Sequence, residues 1–135
     1  MRQLESRLTA GYEDWQVLLA LHQRGDVHGF ITNDAGILEL PREMVVLSKT
    51  RLVLVLTDQV GHDPLRATGL VMLHLQQLAA QLDGSPMIHV LRPRSHRPLR
   101  PGTQINTLAN RRGMPPNELI SSELRDVGDL SVPVP

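Results

Sequence analysis

Asn33 and Asp34 follow a short β-rich run, GFIT at 29–32, while Thr57, Asp58, His62 and Asp63 follow a second run, LVLVL at 52–56. Asp14 opens an apolar stretch of helical spacing. The 135 residues include no Cys, which excludes disulfides, iron–sulfur clusters, thiolate zinc sites and Cys nucleophiles. Imidazoles, carboxylates and hydroxyls must therefore carry any chemistry. Tyr12, Trp15 and Phe30 are too few rings for a base-stacking platform or an aromatic-lined cofactor pocket.

The elements that would position these groups alternate. Residues 13–24 place Trp15, Leu18, Leu19 and His22 at helical spacing, and Gly25 can stop the helix. GFIT then reads as a strand, and Pro41 suits the first turn of a helix with Met44, Val45 and Leu47 on its apolar face. LVLVL is continuous and bracketed by polar residues, the pattern of a strand covered on both faces. A long amphipathic helix over 65–82 and a strand, MIHVL at 87–91, complete the body. Helix, strand, helix, strand, helix, strand, with connections long enough for right-handed βαβ crossovers, predicts an α/β fold with a mostly parallel sheet. Ligands of such sheets bind beyond the carboxyl ends of the strands, where Asp34 and Asp58 stand.

Residues 12–40, YEDWQVLLALHQRGDVHGFITNDAGILEL, resemble the middle of a PIN-like nuclease domain. The shared pattern is an acid opening a helix (D-x-x-W in one bacterial branch), a Gly-containing turn, an apolar strand and Thr/Ser-x-Asp at its end. Asp14, with Trp15 immediately beside it, stands as the helix-opening acid here, Thr32-Asn33-Asp34 matches the strand end, and a looser match runs to about Leu82. The resemblance implies a three-layer Rossmann-like fold and a ribonuclease using Mg2+ or Mn2+. A phosphodiester attacked by water develops charge that a carboxylate-held hard cation offsets while generating hydroxide. On this reading Asp14 and Asp34 are metal ligands, Asp58 or Asp63 completes the set, and Thr32 orients a carboxylate or a metal-bound water. In the family a further Asp ends an opening strand, whereas MRQLESRLTAG, ahead of Tyr12, holds neither. The expectation is a module lacking its opening βα unit, with its cation held by fewer charges.

Each residue also has a structural reading. An acid in the first turn of a helix, as Asp14 is, gains about 0.3–1 kcal/mol from the macrodipole alone. Asp34 suits an Asx-turn beside Gly36, His62-Asp63-Pro64 suits a turn and N-cap, and Glu39 suits a solvated surface. His22, His74 and His89 fall inside regular elements as packing or surface residues, and Trp15 suits a core anchor.

The balanced total of 14 basic and 14 acidic residues hides a segregation of charge. Residues 92–112 carry six Arg and no acid, giving +6, against −3 over 1–91 and −3 over 113–135. Residues 92–102 read as a Pro/Arg-rich connector leaving a body at 1–91, with Arg92, Arg94, Arg97 and Arg100 available to an RNA backbone. Residues 103–135 read as a two-helix tail whose Leu108, Ala109, Gly113 and Leu119 are similar to a helix-turn-helix, a surface equally suited to a partner protein. The function expected is a PIN-like ribonuclease of the toxin–antitoxin kind. The alternatives are a noncatalytic PIN-like binding or assembly module and a DNA-binding regulator. Partners expected are RNA, a protein inhibitor or antitoxin, and a second copy pairing through an exposed sheet edge. No apolar run approaches the roughly 20 residues that cross a bilayer, and no secretory h-region opens the chain, so a cytoplasmic location is expected.

Overall fold

The computed structural model describes residues 13–58 and 63–128. Helix α1 (Asp14–Arg24) begins where the backbone N–H of Glu13 donates to Gln16 Oε1 at 2.8 Å. It ends at Gly25, whose φ of 76° is open to a residue without Cβ. Strand β1 (Gly29–Thr32) follows. Its first residue must be Gly, because a Cβ there would stand 2.6 Å from the backbone oxygen of Val53 on the neighbouring strand.

A 3-10 turn over Ala35–Glu39 leads into α2 (Pro41–Ser48), which starts on a proline and buries Glu43 through Leu47 without a break. Thr50 ties α2 to the next strand. Its Oγ1 donates to the Leu47 oxygen at 2.8 Å and accepts from Leu52 N at 3.1 Å. Strand β2 (Val53–Thr57) is buried at all five positions. Helix α3 (Pro64–Ala80) is capped by Asp63, and β3 (Met87–Arg92) and β4 (Ser95–Leu99) form a hairpin. Helices α4 (Pro101–Arg112) and α5 (Pro116–Val127) follow.

The fold is α/β, with a four-stranded sheet in the order β1-β2-β3-β4. The first three strands are parallel and β4 is antiparallel. Strand alternation divides the core. Leu54, Leu56, Ile88 and Val90 face the layer of α1, α2, α4 and α5, whereas Val53, Val55 and Leu91 meet Leu70 and Leu78 of α3. Since β1, β2 and β3 step in one direction while α2 and α3 lie on opposite faces, the two parallel crossovers have opposite hand. The right-handed pair expected from the sequence is thus corrected, because both crossovers can be right-handed only with both helices on one face.

Two further features differ from the sequence reading. The segment read as a connector contains β4, whose polar residues are tolerated because an edge strand has one free side. The two-helix tail is built into the body, with Ile105, Leu108, Ala109 and Leu119 buried in the same core as α1 and α2. Helix α3 covers its face only in part, leaving Ile31 on β1 56% exposed and Leu65, Met72, Leu73 and Leu75 on its own outer side exposed. No helix of the described residues is long and apolar enough to cross a membrane.

Candidate functional site

The N-terminal end of α1, the start of α2 and the middle of α5 enclose an open cleft of about 510 Å3 lined by Glu13, Asp14, Arg42, Glu43 and Glu123 with Leu40 and Pro41. Its acids are arranged in two ways. Glu123 is only 8% exposed and its Oε2 accepts from Arg42 Nε at 3.1 Å, while Asp126 Oδ2 accepts from Arg42 Nη2 at 3.0 Å. These partners, Glu123 first, hold the guanidinium pKa above its usual value. Glu43, in contrast, is 7% exposed and shares no ion pair among the described residues. Burial pushes its carboxyl pKa above the ordinary value and Asp14 and Glu13 push it further, while a hydrogen bond from its own backbone N–H and, more weakly, Arg42 oppose them.

The residues singled out from sequence are dispersed. Asp14 lies in the cleft. Asp34 stands at the end of β1, where its N–H donates to Thr32 Oγ1 at 3.1 Å and its Oδ1 accepts from Gly36 N at 2.9 Å. Thr57, ending β2, donates from Oγ1 to the Thr32 oxygen at 3.4 Å, so these two strand ends are adjacent. Asp58 follows Thr57, and its Oδ2 accepts from Arg92 Nε at 2.8 Å. Asp63 caps α3 through Leu65 N and Arg66 N, and Glu39 pairs with Arg111. His62 lies outside the described residues.

Among the described residues no three of His, Asp and Glu are gathered so as to hold a metal ion. The set of Asp14, Asp34 and Asp58 expected from the sequence is therefore not assembled as one group. The reason is local: one acid is neutralised by Arg92, one caps a turn, and the third sits in the cleft with Glu43 instead. Of the basic candidates, Arg92 is paired, whereas Arg94 and Arg97 are exposed and hold no ion pair among the described residues. Arg100 is exposed at the start of α4.

Sequence reasoning missed Glu43. The signal was an acid at the head of the apolar run MVVL, in a helix too short to offer a solvated face. No family model, curated protein or solved structure matches the chain.

Proposed function

We propose that the chain is a PIN-like module of the Rossmann-like type that hydrolyses RNA phosphodiester bonds with Mg2+ or Mn2+, using Asp14 and Glu43 as its carboxylate pair. The observation that carries this reading is the Glu43 carboxyl, buried beside another acid in a cleft that opens to solvent. Two oxygen-donor acids fit a hard cation, since Mg2+ is commonly held by one or two carboxylates, with waters and substrate phosphate completing its shell. Such an ion supplies charge neutralisation and a water of lowered pKa. The chain's own residues do the rest. Asp14 and Glu43 hold the ion, Arg94, Arg97 and Arg100 take the RNA backbone, and Asp34 keeps Oδ2 outside its cap bond. A toxin restrained by a protein antitoxin is the setting this reading implies.

The test is cleavage of single-stranded RNA with Mn2+ by the chain, by Asp14→Asn and by Glu43→Gln. Cleavage should fall at least about 100-fold in either variant, the scale expected when a group stabilising the transition state is removed. Equal cleavage by all three proteins would remove the proposal.

The Asp58–Arg92 pair and the dispersal of the acids favour a second reading, a noncatalytic RNA-binding module. RNA retained on the chain but intact after incubation with Mn2+ would select it.

A further inference from the structure

Three histidines from three elements meet on the α3 face of the sheet. His89, on β3, is 0% exposed, and its Nδ1 lies 2.7 Å from Nε2 of His96 on β4. His96 Nδ1 lies 3.2 Å from Gln77 Oε1 on α3. His74, also on α3, places Nε2 3.0 Å from the backbone oxygen of Arg92, and its ring centroid is 5.7 Å from that of His96.

The partners dictate the protons. Gln77 Oε1 can only accept, so His96 Nδ1 donates to it. Nε2 of a neutral His96 then accepts from His89 Nδ1, which leaves His89 Nε2 as a bare lone pair, buried and without a partner among the described residues. His74 Nε2 donates to the carbonyl. His89 and His96 are both neutral in this chain of bonds. A proton on His96 Nε2 would turn donor against donor at 2.7 Å, or drive the His89 proton onto Nε2, where no described group accepts it. A proton on His89 Nε2 would bury a charge that has no acceptor.

Among the described residues nothing nearby compensates a charge. The groups facing the pair are His74 and Gln77 from α3, Val55 from β2 and Pro98 from β4. Arg92, at the end of β3, is tied to Asp58, and Arg97 stands on the opposite face of β4. Burial, and then His96, hold the His89 pKa below its usual value. Burial, and then His74, do the same for His96. Folding therefore favours the neutral rings. The cost appears as pH falls below the ordinary histidine value of about 6.5, where the open state binds protons that the closed state refuses.

The element best placed to respond is β4. Among the described residues it pairs on one side only. Its turn, Pro93-Arg94, is closed by Arg92 and Ser95, so the ladder runs through Val90/Arg97 and Ile88/Leu99. Pro98 falls between ladder positions, where its missing N–H would have pointed outward. An edge strand with one paired side opens locally at less cost than the sheet centre.

We propose that the β3–β4 hairpin is a proton-operated latch, closed by the neutral His89–His96 bond and released on the edge of the sheet when that pair is protonated. Release would expose the outer side of β3 as a free strand edge in mildly acidic conditions.

The test is amide hydrogen exchange of the full chain at about pH 7.5 and about pH 5.5, corrected for intrinsic rates. Protection of the Arg97 and Leu99 amides should fall at least about tenfold at the lower pH while Phe30 and Val55, whose amides lie in the β1–β2 ladder, hold theirs. His96→Gln keeps an acceptor for His89 but cannot titrate, and its Arg97 and Leu99 amides should keep their protection at both pH values. Should that variant fold poorly, ring-nitrogen shifts of the wild-type chain decide instead. They should show His89 and His96 as neutral Nδ1–H tautomers at the higher pH and at least one of them protonated at the lower. Unchanged protection in the wild type, equal loss across all four strands, the same loss in His96→Gln, or ring shifts that do not move with pH would each overturn the latch.

Discussion

Arg92 Nε donates to Asp58 Oδ2 at 2.8 Å, joining the end of β3 to the residue after β2. A basic side chain expected to hold RNA and an acid expected to hold a cation thus neutralise one another. Asp58 is 23% exposed and Arg92 48%, so water screens the pair and its contribution should be modest, about 0–1 kcal/mol. Urea unfolding of Arg92→Ala, Asp58→Ala and the double variant should give a coupling energy in that range. A coupling of about 3 kcal/mol or more would mark a desolvated pair and contradict the exposure.

Glu43 should cost stability at neutral pH. Its folded carboxyl has a raised pKa, so the folded state retains its proton to higher pH than the unfolded chain does. That preference helps the fold below the unfolded value of about 4.3 and is lost as pH rises through the folded value. Glu43→Gln should therefore raise the melting temperature near pH 7, with the gain vanishing near pH 4. Asp14→Asn should act in the same direction but less, since it removes only one neighbour of the buried acid. Thermal unfolding across that range checks both, and a lower melting temperature for Glu43→Gln at pH 7 would show that the carboxylate is compensated.

The outer side of α3 and the sheet centre should respond differently to truncation. Leu54 and Ile88 are fully enclosed, so replacement by Ala should cost about 2–5 kcal/mol, while Leu65→Ala, on the outer side of α3, should stay within about 0.5 kcal/mol. Gly29→Ala belongs with the costly group although it adds only a methyl, because the Val53 oxygen it would strike is backbone of the adjacent strand. Equilibrium unfolding orders the four. A neutral Gly29→Ala would mean that β1 can shift along its partner.

What could be read in advance follows from period and composition. LVLVL and the helix over 13–24 carry apolar residues at spacings that only one element satisfies, and both form where expected. SHRPL does not, since Pro98 and Arg97 look like loop residues and only pairing with β3 makes them a strand. The apolar residues of α3 suggested a wider buried face than it has, because only a sheet partner on one side decides which of them are covered. Asp14 could be found from its position and Glu43 from the short apolar helix it heads, but their meeting could not, because it depends on the packing of α1 on α2. The meeting of His89 with His96 depends on hairpin register, which a single sequence with Pro in the strand leaves undetermined.

The same register bears on nucleic-acid binding. Arg94 and Arg97 lie free of ion pairs among the described residues on the β3–β4 hairpin, whereas Arg92 is engaged by Asp58. For every Arg that ceases to neutralise a phosphate, the slope of log affinity against log salt for single-stranded RNA should become shallower by about 0.7. Arg94→Ala and Arg97→Ala should each show that change, and Arg92→Ala should show much less of it, because displacing Arg92 from Asp58 would oppose its use on phosphate. Filter binding at several salt concentrations measures the three slopes. Equal reductions in all three would show that RNA outcompetes Asp58 for Arg92, and no reduction in any would move the RNA-binding surface off this hairpin.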